Sequence, residues 1–347
     1  MNALSSFDPL ATARAAKHRL FVARRSAAAA SDAVAFRVRR RDALRRAAKG
    51  ITLPPLPVAG RGEIWGIAMV RNEADVLEGT LTQLASQGVD RVLCVDNGST
   101  DATRDVLASV GRDYPVIVGD DSWTAFEQSA KMTVLADAAR RAGATWVLPF
   151  DADERWMGQG GSIADVLRST AAPIVVAELV NAFPDPLQDG AWRLDPTAHH
   201  DPKMAFRPMR GTVIGMGNHR VMRPGDIVPG LGIVHLPWRS FEQFRSKVEH
   251  GSRALDATQL SPEAGWHWRR LGEMDETQLR AAWHGMLSGE KIPENAWQPG
   301  AATVPFSVNG SIQWEDILKT RESRQAKRAL NIFTPRTNGR FPDERPR

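Results

Sequence analysis

The chain has 347 residues, of which 42% are hydrophobic and 24% charged, so it can bury a sizeable core in one large domain or two. No apolar run approaches the ~18 to 20 residues of a membrane-spanning helix, no signal peptide precedes the first charged segment, and one cysteine excludes an internal disulfide; a cytoplasmic protein is expected. The net charge of +5 is unevenly placed, because residues 1–50 hold ten Arg and two Lys against three Asp, a balance of +9 that leaves −4 for the other 297 residues.

Residues 1–50, rich in Ala, Arg and Leu, predict a basic arm of one or two helices ending at Gly50, ahead of a Pro-rich linker at 51–62 containing "LPPLPVAG". Such an arm is either attracted to an anionic membrane surface, nucleic acid or an acidic partner, or it packs on the body as a solvated extension; nucleic acid is the least expected of these. From residue 63 the pattern alternates. "EIWGIAMV" (63–70) reads as a strand, "EADVLEGTLTQLASQG" (73–88) as a helix closed by Gly88, and "RVLCVDNGST" as a second strand with Cys94 as an inert core thiol. "DATRDVLASVGR", "PVIVGD", "AFEQSAKMTVLADAARRAG" and "TWVLPFDADE" continue as helix, strand, helix, strand. Strands alternating with helices imply parallel pairing, right-handed crossovers and helices on both faces, an α/β layer of nucleotide-binding type over 63–155. The loop "GQGGS" (158–162) is either a backbone nest or, the favoured reading, a flexible loop ending in a helix cap at Ser162 and Asp165. Later, "DETQLRAAWHGML" predicts a helix, "SIQWEDILKTRESRQAKRAL" (311–330) another, and the end from 335 is expected to fray.

The acids follow the same rhythm. Glu73 comes after the first strand in "VRNE", Asp96 ends the second in "VDNGSTD", Asp120 and Asp121 end the third, and Asp151 and Asp153 end the fourth in "FDADE". Asp suits a strand interior poorly, so these carboxylates mark strand exits. Parallel strands side by side would gather them along the carboxyl edge of the sheet, where open α/β sheets bind ligands. One such acid is ordinary turn or capping chemistry; four successive strand ends are harder to attribute to capping. Clustered carboxylates repel unless a cation neutralises them, and Mg2+ and Mn2+ take hard oxygen ligands from carboxylates and phosphates. The chain has neither a phosphate-loop motif nor G-x-G-x-x-G after its first strand, so a bound phosphate would depend on that cation.

"MVRNEADVLEGTL", "CVDNGSTDAT" and "FDADE" resemble the opening of the glycosyltransferase family 2 group, with its GT-A fold and Asp-x-Asp metal motif. "PKMAFRP", "GNHRV" and "VHLPWRSFEQFRSKVEHG" resemble a bacterial branch of that group. The resemblance covers roughly 63–255. It implies a GT-A-type, mostly parallel sheet flanked by helices, with a donor-binding half at 63–155, an acceptor half at 156–255, and a mainly helical extension at 256–347 outside it. It further implies that Glu73 and Asp96 contact the base and ribose of a nucleoside-diphosphate sugar and that Asp121 lies beside the nucleotide. Asp151 and Asp153 would flank Mn2+ or Mg2+, one of them reaching the ribose. A saccharide or glycolipid hydroxyl would be the acceptor, and transfer would be inverting.

A departing diphosphate needs its charge stabilised, and the attacking hydroxyl needs a general base. Asp201, in "HHDPK", and Glu154 are the candidate bases; Glu154 has the alternative of pairing with Arg155, Lys203 or Arg207. Seven of the eight histidines lie at or beyond 199, and among them His235 and His219 are candidate metal ligands or, alternatively, hydrogen-bonded structural groups. Lys203, Arg207, Arg239 and Lys247 suggest a basic wall that either steadies diphosphate oxygens or forms salt bridges with the carboxylates. Seven of the eleven tryptophans lie at or beyond 192, suited to covering sugar rings or to packing helices.

These features favour a metal-dependent glycosyltransferase. Two other readings stay open. A nucleotidyltransferase on a related sheet would usually carry a Gly-rich loop with a basic residue where this chain has "VRNEAD". A non-catalytic adaptor would be a degenerate sugar-nucleotide fold tethered by the arm. No feature of the sequence specifies an oligomeric state.

Overall fold

The computed structural model describes residues 9–256, 258, 263, 265–300, 303–308 and 312–322. The arm forms α1 (Pro9–Arg39) and α2 (Arg41–Gly50), followed by β1 (Ile51–Thr52). Then β2 (Ile64–Val70), α3 (Leu77–Ser86), β3 (Arg91–Asp96), α4 (Thr103–Val110), β4 (Val116–Asp121), α5 (Gln128–Ala142) and β5 (Trp146–Pro149) alternate as the periodicity predicts. β6 (Glu154–Gly158) and α6 (Ile163–Ser169) lead into β7 (Ile174–Pro184), β8 (Trp192–Asp195), β9 (Lys203–Phe206), the hairpin β10 (Val213–Ile214) and β11 (Val221–Met222), and β12 (Ile227–His235). α7 (Phe241–Asp256), α8 (Trp266–Gly272), α9 (Glu276–Leu287), β13 (Val304–Phe306) and α10 (Trp314–Glu322) complete the described chain. The remainder of the helix expected over 311–330, and the end from 335, lie outside the described residues.

Eleven strands form one mixed α/β sheet with the main order β1-β4-β3-β2-β5-β9-β7-β12-β6. β4, β3, β2 and β5 pair in parallel, so their carboxyl ends share one edge. β9 runs antiparallel to both β5 and β7, while β12 is parallel to β7 and antiparallel to β6. Side chains alternate between the two faces along each strand. Ile64, Ala68, Val92, Cys94, Trp146 and Leu148 join one buried cluster, with Leu81 and Leu84 of α3. Their neighbours Trp65, Ile67, Leu93, Val95 and Val147 join another, with Met132 and Leu135 of α5. Helices therefore cover both faces, which is why these strands read as continuous apolar runs.

The fourth strand departs from its expected length. β5 stops at Pro149, and Glu154–Gly158 forms the new strand β6, which pairs with β12 rather than with β5. Asp151 and Asp153 therefore occupy a turn between two strands that lie in different parts of the sheet.

The arm packs on the body. Ala33 and Phe36 of α1 join Val213 and Met222 in a small apolar cluster. Arg37 donates to the carbonyls of Gly211 at 3.2 Å and Thr212 at 3.3 Å, and ion pairs join Asp32 to Arg220 and Arg40 to Glu127. The opposite face is open, with Leu20, Phe21, Val34 and Val38 exposed. Among the described residues no helix is long and apolar enough to cross a membrane. Toward the C-terminus, Trp238, Phe244, Trp268 and Trp283 form a separate core with α9, so these tryptophans pack helices.

Candidate functional site

The loops after β2 and β3 are laced together at the parallel edge. Asn72 adopts a left-handed conformation, φ 54°, and its side-chain oxygen accepts from the Thr100 N–H at 2.8 Å. The Glu73 N–H donates to the Thr103 hydroxyl at 2.9 Å, and the Ala74 N–H to Asp101 at 3.2 Å. These bonds fix the "VRNEAD" turn beside the "DNGSTD" turn, which supplies Asp96. Asp96 is buried, accepts from the Ser99 N–H at 3.0 Å, and pairs with Arg104 at 3.1 Å. Asp121, also buried, pairs with Lys131 at 2.7 Å and accepts from the Asn97 amide at 2.7 Å. Burial lowers the Lys131 ammonium from its ordinary value, and the Asp121 carboxylate opposes that change.

Asp151 and Asp153 face different partners. Asp151 is held by the Lys203 ammonium and by the amides of Asn218 at 3.1 Å and Gln128 at 3.4 Å. Gly217 lets that wall close: its φ is 66°, a Cβ there would overlap the His219 ring, and its N–H donates to Gln128 at 2.9 Å. Asp153 has a side chain only 3% exposed, pairs with Lys247 at 2.5 Å, and lies 3.6 Å from Arg239. Burial by itself would raise the Asp153 pKa, but Lys247, His235 and Arg239 outweigh it and hold Asp153 well below the usual carboxylate range. Arg239 also pairs with Glu73 at 2.6 Å and with Asp75 at 2.6 Å, tying the first strand's loop to the turn after the fourth. Burial raises Glu73 above its ordinary value, against the pull of Lys247 and Arg239.

Sheet register places His235. It is aligned with Asn181 on the parallel strand β7 and with Glu154 on the antiparallel strand β6. Its Nδ1 is 2.9 Å from the side-chain oxygen of Asn181, which can only accept, so Nδ1 carries the proton. Nε2, on the other side of the ring, lies 3.7 Å from Asp153 Oδ1. That separation exceeds a hydrogen bond and falls between the two spacings of an octahedral ion, about 3.0 Å for adjacent and about 4.2 Å for opposite ligands at metal–ligand distances of about 2.1 Å, so a small adjustment of either side chain would let both reach one ion. Oxygen plus imidazole, with an oriented outer partner for the imidazole, is a donor pair that could hold a divalent metal.

Other expected residues lie elsewhere. Glu154 is fully buried; one oxygen faces Lys203, and the other accepts from the Asp151 N–H and the Trp156 indole, both at 3.0 Å. Its pairing is with Lys203, not Arg155 or Arg207, and with both oxygens engaged its placement does not suit a base that meets substrate. His219 packs against Pro202, with Nδ1 3.3 Å from that carbonyl. Burial and the Lys203 charge lower its pKa to about 3, so it stays neutral. Among the described residues the one set of three ligand-type groups within 4.8 Å of one another is His199, His200 and Asp201, not the expected set of Asp151, Asp153, His219 and His235. The physical reason is that the two aspartates diverge, each drawn to its own lysine. Asp201 is 37% exposed and pairs with His200 at 3.0 Å. Of the basic wall, Lys203, Arg239 and Lys247 bind carboxylates, whereas Arg207 stacks over Trp146 at 4.5 Å.

Sequence reasoning missed Asn181, Asn218, Gln128 and Thr80. The Thr80 hydroxyl donates to the Ala152 carbonyl at 2.5 Å, and the buried Arg155 donates to Thr80, so α3 braces the turn between the two aspartates.

The model of glycosyl transferase family 2 matches residues 67–189, which contain Glu73, Asp96, Asp121, Asp151 and Asp153. No curated protein matches the chain. Among solved structures, the chain is similar to S. aureus TarS 1-349 in complex with UDP, at 11% identity over 59% of this chain and 69% of that one, with a TM-score of 0.34. It is also similar to mannosyltransferase PcManGT from Pyrobaculum calidifontis in complex with GDP-Man and Mn2+, at 16% identity over 79% and 89%, TM-score 0.32. Glucosyl-3-phosphoglycerate synthase from Mycobacterium tuberculosis, in complex with Mn2+, UDP and glucosyl-3-phosphoglycerate, matches at 15% identity over 37% and 52%, TM-score 0.23.

Proposed function

We propose, from the premise that residues 67–189 form a glycosyl transferase family 2 segment, that this chain moves a sugar from a nucleoside diphosphate to an acceptor hydroxyl with the help of a divalent metal. The observation that carries the reading is the gathering of Glu73, Asp96, Asp121, Asp151 and Asp153 at one edge of four adjacent parallel strands. In this reading 63–155 is the donor half and 156–255 the acceptor half, with 256–347 as an extension. Asp153 and His235 would hold Mn2+ or Mg2+, with Asp151 nearby, and the ion would stabilise the charge of the departing diphosphate. His219, enclosed against Pro202, is left out of that set.

Glu73, Asp96 and Asp121 would hold the base and ribose, positioned by the interlocked loops after β2 and β3. Arg239 and Lys247 would offer donors to the diphosphate, Arg239 as a planar fork and Lys247 as a point charge. Lys203 would keep Asp151 oriented at the donor. Asp201 would accept the proton of an acceptor hydroxyl as that oxygen bonds to the anomeric carbon and the carbon–diphosphate bond breaks, inverting the centre. Burial and the neighbouring His200 lower the His199 pKa to about 4, so His199 stays neutral beside Asp201. The acceptor is proposed to be a saccharide or glycolipid, with the exposed face of the basic arm lying on an anionic membrane surface at the cytoplasmic side.

Incubation with UDP- and GDP-sugars plus Mn2+ tests this. Release of nucleoside diphosphate, abolished by Asp153→Ala, is expected. Release of pyrophosphate would favour nucleotidyl transfer, and no release from any donor would favour an adaptor.

A further inference from the structure

Asp153 is a buried carboxylate, and Lys247 is the cation nearest to it. A buried charge left without a partner is strongly destabilising, so in the absence of a divalent ion the chain must supply the counter-ion itself. Lys247 Nζ lies 2.5 Å from Asp153 and 3.9 Å from Glu73. The two lysines of the site differ in freedom. Lys203 is 3% exposed and is bound between Asp151 and Glu154, whereas Lys247 reaches in from α7 with 26% of its side chain exposed and can swing on its flexible stem. A divalent ion at Asp153 and His235 would sit within contact range of that ammonium and be repelled by it.

We infer that Lys247 is the resident counter-ion of Asp153, that it competes with the divalent ion for this carboxylate, and that it passes to the donor's diphosphate when ion and nucleotide bind together. This rests on the proposed donor site. The ion is then held weakly by the free protein, because it must oppose Lys247. The diphosphate relieves that opposition by giving Lys247 a new anionic partner, so metal and nucleotide favour one another through Lys247.

The test is Mn2+ binding to the full chain, followed by the electron paramagnetic resonance of free Mn2+, with and without UDP or GDP. Lys247→Gln removes the competitor, so Mn2+ affinity without nucleotide should rise at least about tenfold, and the further gain on adding diphosphate should shrink. Lys247→Arg, which keeps the charge, should behave like the native chain. Glu73→Gln removes the second partner of Lys247, leaving the ammonium to Asp153 alone, and should weaken Mn2+ binding; this variant carries the test if Lys247→Gln does not fold. Unchanged or weaker Mn2+ binding in Lys247→Gln, or unchanged binding in Glu73→Gln, overturns the inference while leaving the donor site in place. Undiminished Mn2+ binding in Asp153→Asn overturns both.

Discussion

Gly79 lies inside α3, where Ala would be favoured by about 0.8–1.0 kcal/mol on helix propensity alone. A Cβ at this position would overlap the Arg155 guanidinium, which bonds Thr80 and so supports the Ala152 carbonyl between the two aspartates. Forcing atoms into a packed site costs about 1–3 kcal/mol, enough to reverse the propensity gain. Gly79→Ala is therefore expected to lose about 1 kcal/mol in urea unfolding and to weaken Mn2+ binding with it; a more stable variant with native Mn2+ affinity contradicts the brace. The aspartates themselves were legible because carboxylates at strand exits carry a chemical signal. Asn181 was not, since it meets His235 only through the register of β7 and β12, across 54 residues of sequence. For Glu154 the sequence left a base and a salt bridge open for a related reason: acidity shows in the sequence, but enclosure by Trp156 and Lys203 does not.

At the scale of elements, the alternation of apolar runs and amphipathic stretches from 63 to 155 carried the order of strands and helices. It could not reveal β6, whose partner β12 begins 69 residues after β6 ends. Helix α1 illustrates the same limit. Its composition predicts helix, yet the choice between a packed and an exposed arm depends on which face finds a partner. One face packs on the β10–β11 hairpin through Ala33 and Phe36. The other exposes Leu20 at 53% and Phe21 at 44%, and Lys17 and Arg24 are exposed one helical turn away on either side. Apolar side chains flanked by bases suit an anionic lipid surface, where each basic residue contributes about 1 kcal/mol. Replacing Lys17, Leu20, Phe21 and Arg24 together with Gln should weaken binding to phosphatidylserine vesicles at least about tenfold without lowering Tm, because no core contact is touched. Equal sedimentation of native and variant protein with vesicles would remove the lipid reading.

For the whole molecule, the decisive feature is topology. Strand order β4-β3-β2-β5 turns five acids dispersed over 81 positions, from 73 to 153, into neighbours along one edge. The antiparallel half then returns Lys203 on β9, His235 at the end of β12, Arg239 just before α7 and Lys247 on α7 to the same edge. This return explains why acids and bases meet although they are far apart in the chain: the second half closes over the first, and each base finds a carboxylate. If the proposed metal site is right, a cluster so neutralised by its own side chains would hold the ion more tightly when a diphosphate arrives with it. Thermal unfolding with UDP or GDP, in Mn2+ and in EDTA, measures that dependence directly. Ligand at a hundred times its Kd adds about 2.7 kcal/mol, a shift on the order of several degrees in Tm. That shift is expected with Mn2+ present, and it is expected to vanish in EDTA and in Asp153→Ala. An equal shift in EDTA, or no shift with either nucleotide in Mn2+, would contradict the proposed metal site.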